Sequence, residues 1–307
     1  MSLTLYSKGR GNPFLDNRPF ARWARAAGLP RSRLLEPFAG NNSLVEMLAG
    51  MGLCRSFAAF DIAPAAPAVR RRDTLARFPR GFDVCVTNPP WLAKNSAARR
   101  GLPFPACRHD NLYKHALAKC LAHCAYVAAL VPESFITSGA FCGRLASFVS
   151  ITAAIFSDTQ QPVGLALFGP DATDEIEVWS GRQRVGLLAE LQALKPLPRP
   201  GGMGVRFNDP EGNVGLYALD GTKGPSIRFC DVRELAGYDI RPSCRSITRI
   251  MVDGKVRTAA WNRLLNEFRR STHDVLMTSY KGIRRDGRYR RRCDWALARG
   301  IIHNASG

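Results

Sequence analysis

The chain has 307 residues, 46% of them hydrophobic and 22% charged, proportions that exclude a disordered or a membrane-embedded polypeptide. Its 44 Lys and Arg against 25 Asp and Glu leave a formal charge of +19, which predicts a polyanionic partner, most simply nucleic acid. No apolar stretch approaches the roughly 20 residues that span a bilayer, and the opening MSLTLYSKGRGNPF has no apolar signal core, so a cytoplasmic protein with no membrane contact is expected.

A helical pattern over Arg18–Ala27 comes first. From there to about residue 170, short apolar runs alternate with helical patterns, the signature of an α/β chain building a mostly parallel sheet. Strands are expected at Leu34–Phe38, Ser56–Asp61, Phe82–Thr87, Ala125–Val131, Ile151–Phe156 and Val163–Phe168. Helices are expected at Asn42–Met51, Asp110–Cys124 and Ser134–Val149. Only Ser157–Pro162 separates the last two strands, too little for a crossover helix, so the sheet should end in a hairpin with an antiparallel strand.

Beyond Leu188 the composition changes, and Leu194–Gly204 (LKPLPRPGGMG) reads as a linker or surface loop. The organisation expected is one domain over residues 1–190, a linker over 191–204 and a basic C-terminal region over 205–307. In that region Val214–Leu219, Ser226–Cys230 and Ile247–Val252 resemble short strands, and Thr258–Arg270 a helix. The last 51 residues hold 12 basic and 4 acidic side chains, densest in GIRRDGRYRRR from Gly282 to Arg292. That run predicts a phosphate-gripping arm through Arg284, Arg285, Arg290, Arg291 and Arg292, with Tyr280 and Tyr289 interleaved. Nine scattered cysteines read as reduced thiols. Cys107, His109, His115, Cys120, His123 and Cys124 match no zinc spacing, so no metal is expected.

Four constellations carry chemistry. In Leu34–Leu48 (LLEPFAGNNSLVEML) an apolar strand enters Glu36, Pro37, Phe38, Ala39 and Gly40, and a helix starts at once. Gly40 permits a tight turn and a close ligand approach, and Asn42 or Ser43 would cap an electropositive helix start. A second strand ends at Asp61, 21 residues beyond Gly40, followed by Ile62. An acid there lies where nucleoside-binding α/β folds hold ribose hydroxyls. Asp73 follows and would face an adenine ring. The strongest signal is Asn88-Pro89-Pro90-Trp91 after a third strand. Two prolines fix the backbone and remove two donors, the Asn oxygen and a proline carbonyl accept from one exocyclic amine, and the indole offers a stacking face.

Taken in order, Glu36-Pro-Phe-Ala-Gly40, Asp61, Asp73 and Asn88-Pro-Pro-Trp91 resemble the successive motifs of the S-adenosylmethionine-dependent amino-methyltransferases, especially the N6-adenine DNA methyltransferases in their gamma motif order. The resemblance covers roughly residues 10–170. Asn12-Pro13-Phe14 is similar to the family's N-terminal cofactor segment, and Phe156–Phe168 to the hairpin beside its target-base pocket. The resemblance implies a Rossmann-like class I methyltransferase fold, with a mostly parallel seven-stranded sheet whose last strand is antiparallel. It implies S-adenosylmethionine held by Glu36, Pro37, Phe38, Gly40, Asp61, Ile62, Asp73 and Asn88, and catalysis at Asn88, Pro89, Pro90 and Trp91. A flipped adenine would meet Phe156 as a second aromatic contact. The implied partner is double-stranded DNA, with room for a restriction endonuclease in a restriction-modification system of bacterial or phage origin. The family usually has glycine where Asn42 stands and Tyr or Phe where Trp91 stands.

The same amine-holding logic serves N4-cytosine and RNA base methylation, and also protein glutamine methylation, which gives no reason for a basic C-terminal region. A methyltransferase-shaped subunit that binds nucleic acid without catalysis belongs to another class and differs in cofactor binding.

Overall fold

The computed structural model describes residues 17–152, 155–156 and 160–305; the Asn12-Pro13-Phe14 segment lies outside them. The chain divides into two compact units at Arg184 and Val185.

The first unit begins with α1 (Arg18–Ala26), capped by Asn17, whose side chain accepts from the Phe20 N–H at 2.8 Å. Phe20, Trp23 and Ala24 form its buried face. Then come β1 (Arg33–Glu36), α2 (Ser43–Gly50), β2 (Ser56–Asp61), β3 (Val69–Arg71), β4 (Val84–Thr87), α3 (Lys94–Arg99), α4 (Leu112–His123) and β5 (Tyr126–Pro132). β6 (Leu145–Ile151), β7 (Val163–Phe168), β8 (Glu177–Ser180) and β9 (Gln183–Leu187), within which the first unit ends, complete the sheet. Trp23 Nε1 donates to the Phe168 carbonyl at 2.9 Å, tying α1 to β7.

The strands stand in the order β3-β2-β1-β4-β5-β7-β6-β8-β9. β1 to β5 run parallel, and β7 lies antiparallel between β5 and β6. The mostly parallel sheet is as expected, but it has nine strands rather than seven, because β8 and β9 extend one edge as a hairpin turning at Gly181 (φ +57°). β1, β4, β5 and β7 are buried almost throughout, as strands covered on both faces must be.

Two expectations need correction. No α-helix fills Ser134–Val149: short 3₁₀ turns at Glu133–Ser138 and Cys142–Arg144 lead into β6. Gly139 and Phe141, both in the left-handed region at φ +66° and +59°, break the helical path. The strand expected at Ile151–Phe156 therefore ends where it was expected to begin, and its pairing with β7 starts earlier. Gly164 on β7 admits that pairing, since a Cβ there would lie 2.2 Å from the Phe148 ring of β6.

The second unit comprises α5 (Leu188–Ala193), β10 (Val205–Phe207), β11 (Val214–Tyr217), β12 (Arg228–Asp231), β13 (Ile247–Val252), α6 (Thr258–Ser271), β14 (Thr278–Ile283), β15 (Tyr289–Arg292) and α7 (Trp295–Asn304). β10-β13-β11-β12 form an antiparallel sheet, and β14-β15 a separate hairpin. Trp261 of α6 meets Phe229 of β12 edge-on at 5.4 Å. The Pro- and Gly-rich stretch lies inside this unit: Asn304 Nδ2 donates to the Leu197 carbonyl at 2.8 Å, and the Arg199 N–H donates to His303 Nδ1 at 2.9 Å.

Candidate functional site

One cleft in the first unit, about 1300 Å³, collects most of the singled-out residues at the C-terminal ends of the parallel strands. Glu36, Phe38, Gly40, Asp61, Ile62, Asp73, Asn88, Pro89, Pro90 and Trp91 all line it. Parallel strands that end together place side chains far apart in sequence around one crevice.

Glu36 ends β1 and is 1% exposed. Its Oε1 accepts from Thr87 Oγ1 at 2.7 Å and from the Phe38 N–H at 3.0 Å, while Oε2 is buried without a partner. Burial pushes this carboxyl up to about 8, against the opposing hydrogen bonds. An uncompensated carboxyl oxygen on a cleft wall suits a cationic or donor group of a ligand.

After Glu36 the chain turns at Gly40, in the left-handed region at φ +52° with open space around a hypothetical Cβ, so conformation rather than room calls for glycine. Asn42 is also left-handed, at φ +66°, a conformation that Asn tolerates best after glycine. Its side chain is buried, is not among those lining the cleft, and makes no cap bond. Asn41 takes the local role instead, Oδ1 accepting from Ser43 Oγ at 2.8 Å.

Asp61 Oδ2 accepts from the Gly40 N–H and Oδ1 from the Ala63 N–H, both at 2.8 Å. Its carboxylate thus joins the β2 end to the Gly40 turn and keeps a second lone pair on each oxygen for a ligand. Ile62 beside it is 66% exposed, a bare apolar edge on the cleft. Asp73 Oδ1 accepts from the Leu75 and Ala76 N–H groups at 3.0 Å, leaving Oδ2 for other partners.

β4 delivers Asn88 to the cleft with its Oδ1 buried and without a partner. Trp91 is pinned: Nε1 donates to the Leu130 carbonyl at 3.3 Å, and the indole meets the Phe156 ring edge-on at 5.7 Å and 88°. This corrects the expectation for Phe156, which is 4% exposed, does not line the cleft, and packs against Trp91. Pro37 is likewise buried outside the lining, its carbonyl accepting from Thr74 Oγ1 at 2.8 Å.

The cleft also has a wall that no motif announced: Pro103, Phe104, Pro105, Leu112, His115 and Lys119. The LPFP run at residues 102–105 was the only local signal. Burial, then the neighbouring Lys119 cation, holds the His115 imidazole below its usual range. Among the described residues no group of three or more His, Cys, Asp or Glu side chains is placed to hold a metal, and no helix is long and apolar enough to cross a membrane.

The C-terminal arginines depart furthest from expectation. Asp220 is fully buried; its carboxylate accepts from Arg269 Nη1 and Nη2 at 3.0 and 2.9 Å and from Arg284 Nη1 at 2.8 Å. The Asp220 carbonyl accepts from Arg290 Nε at 2.6 Å, and the Arg291 N–H donates to Asp220 Oδ2 at 3.2 Å. Although burial opposes it, the Arg269 guanidinium holds the Asp220 carboxyl below its usual value. Arg284 and Arg291 are buried, and Arg292 Nε is enclosed without a partner. The run is therefore the β14-β15 hairpin rather than a free arm, with Arg284 and Arg291 buried, Arg290 and Arg292 half-buried, and Arg285 and Arg288 exposed.

No protein-family model matches the chain, and no curated protein matches it. Solved structures overlap parts of it. A Listeria monocytogenes protein assigned to the class I S-adenosylmethionine-dependent methyltransferases is 14% identical at a TM-score of 0.38, over 57% of this chain and 68% of its own. The methyltransferase subunit of a type I restriction-modification system from Streptococcus thermophilus is 16% identical at 0.37, over 56% of this chain and 48% of its own. The M protein of the type I restriction enzyme EcoKI is 12% identical at 0.37, over 93% and 69%. The match thus spans about half the length of the Streptococcus chain. These overlaps are loose.

Proposed function

We propose that the protein is an S-adenosylmethionine-dependent DNA methyltransferase acting on the N6 amine of an adenine turned out of the duplex. One observation carries this reading: a buried Asn88 oxygen without a partner, followed by two prolines and a clamped indole, in the same cleft as Glu36, Gly40 and Asp61. An amide oxygen enclosed without a donor is costly unless a ligand supplies one, and an exocyclic amine does so.

The cofactor fits the residues present. Asp61 would accept from ribose hydroxyls, Ile62 would cover a ring face, and Glu36 would face the cationic end. When bound, S-adenosylmethionine supplies an electrophilic methyl group on a sulfonium. Asn88 and the Pro89 carbonyl would accept from the target amine, drawing its nitrogen toward tetrahedral geometry and freeing its lone pair for the incoming methyl, the surplus amine proton leaving to water. Trp91 fixes the base plane, and the cleft contributes orientation and preorganised dipoles. This reading takes Asn42, outside the cleft lining, as a structural substitute for glycine.

The test is transfer of tritiated methyl groups to duplex DNA, single-stranded DNA and RNA, followed by nucleoside analysis. Labelled N6-methyladenine from DNA is the expected product. Label in N4-methylcytosine or in RNA would move the substrate, and donor binding without transfer to any of the three would leave a non-catalytic subunit.

A further inference from the structure

Immediately after Trp91 the chain makes a closed excursion. The Lys94 N–H donates to the Asp110 carbonyl and the Leu112 N–H to the Leu92 carbonyl, both at 2.8 Å, so residues 93–111 leave and return at one point beside the amine-holding motif. Its inner side supplies Pro103, Phe104 and Pro105 to the cleft. Its outer side carries Lys94, Arg99, Arg100 and Arg108, all exposed.

Among the described residues most of the charge on this lip has no carboxylate partner. Between Leu92 and Cys124 stand six Lys and Arg and one acid, Asp110. Asp110 pairs with Lys114 at 2.8 Å, and among the described residues no carboxylate pairs with Lys94, Arg99, Arg100, Arg108 or Lys119. In the β14-β15 hairpin, by contrast, Arg284 pairs with Asp220 and Asp286. Rings are interleaved with the cations: His109 lies 6.1 Å from His115 and 5.8 Å from Phe141. Phe141 is half-buried and held at φ +59°, and Leu102 is 39% exposed. Exposed guanidinium and ammonium groups without carboxylate partners, beside half-buried rings, suit a strand of phosphates and bases.

We infer that the excursion over residues 93–111 is the surface that grips the phosphates of the DNA delivering its base to the cleft, through Lys94, Arg99, Arg100 and Arg108. This rests on the nucleic-acid reading above and relocates the grip from the C-terminal arginines to the lip beside Trp91. Such contacts hold the duplex in register and read no sequence.

The test replaces Lys94, Arg99, Arg100 and Arg108 with Gln together in the full chain and follows duplex binding by fluorescence anisotropy from 50 to 300 mM salt. Each lost phosphate contact should lower the slope of log K against log salt by about 0.9, so the slope should fall by roughly 2 to 4 and affinity near 0.1 M salt by about 100-fold or more. Affinity for S-adenosylmethionine, measured by calorimetry, should stay within about twofold and certifies an intact cleft. A companion variant with Lys at positions 99, 100 and 108 should keep the wild-type slope, since phosphates respond to charge. If the wild type methylates DNA while the Gln variant keeps its salt slope, the lip assignment is overturned and the function stands. If the wild type binds no nucleic acid at any salt, the lip falls together with the nucleic-acid reading.

Discussion

At the scale of the residue, two enclosed oxygen atoms decide most of the chemistry. Asn88 Oδ1 has no partner, so Asn88→Ala should remove the proposed acceptor for the target amine without disturbing the proposed ligand contacts at Asp61. We expect methyl transfer to fall by about 100-fold or more, with donor affinity within a few fold; near-normal turnover would remove Asn88 from the active site. Glu36 makes a prediction about pH. Its folded-state value is raised from 4.5 to about 8, mainly by burial. A raised value stabilises fully below about 4.5, and that contribution fades as the pH climbs through about 8. The ligand-free protein should therefore lose on the order of 4 kcal/mol from this group over that window. Glu36→Gln, a neutral mimic, should not show that loss. Urea unfolding of both proteins from pH 5 to 8.5 checks this, and parallel stability curves would refute the buried, protonated carboxyl.

Elements show where reading a sequence succeeds and where it stops. β2, β7 and β13 follow the expected bounds because a continuous or alternating apolar run is a local property. β3 has one buried residue in three, too little pattern to notice. β6 was missed because Phe148, Val149 and Ile151 satisfy helical and strand spacing alike, and the left-handed Phe141 that settles the matter is not a turn-forming residue type. The arginine run was legible as charge but not as burial, since its counter-ion Asp220 lies 64 residues before Arg284. That pairing can be tested. Asp220→Ala would leave Arg269 and Arg284 enclosed without their shared carboxylate, and breaking a buried pair in this way costs about 3–5 kcal/mol. Chemical denaturation followed at Trp261 should show a loss of that size, and a loss below about 1 kcal/mol would mean the arginines find water instead.

For the whole molecule, the +19 charge proves to be two different things. In the second unit Arg269 and Arg284 are buried and paired with Asp220, Asp274 and Asp286, whereas Lys94, Arg99, Arg100 and Arg108 beside the cleft are exposed. Net charge alone cannot separate a buried pair from an exposed cation, which explains why the cleft's motifs were readable in sequence while the burial of Arg284 was not. The division into two units carries a further consequence. Every residue lining the cleft lies between Glu36 and Lys119, inside the first unit. Asp220, in the second, contributes nothing to that lining. Sites that share no partner act additively, within roughly 0.5 kcal/mol. Asp220→Asn, which keeps the shape of the side chain and removes its charge, should thus lower global stability while leaving S-adenosylmethionine affinity within about twofold, when calorimetry is run at a temperature where the variant is still folded. The readout separates two kinds of molecule. Unchanged affinity means the second unit's ion cluster serves only its own fold. A tenfold loss, equivalent to about 1.4 kcal/mol of coupling, would mean that the state of Asp220 is felt at Glu36 and Asp61, and the two units would then have to be treated as one energetic body.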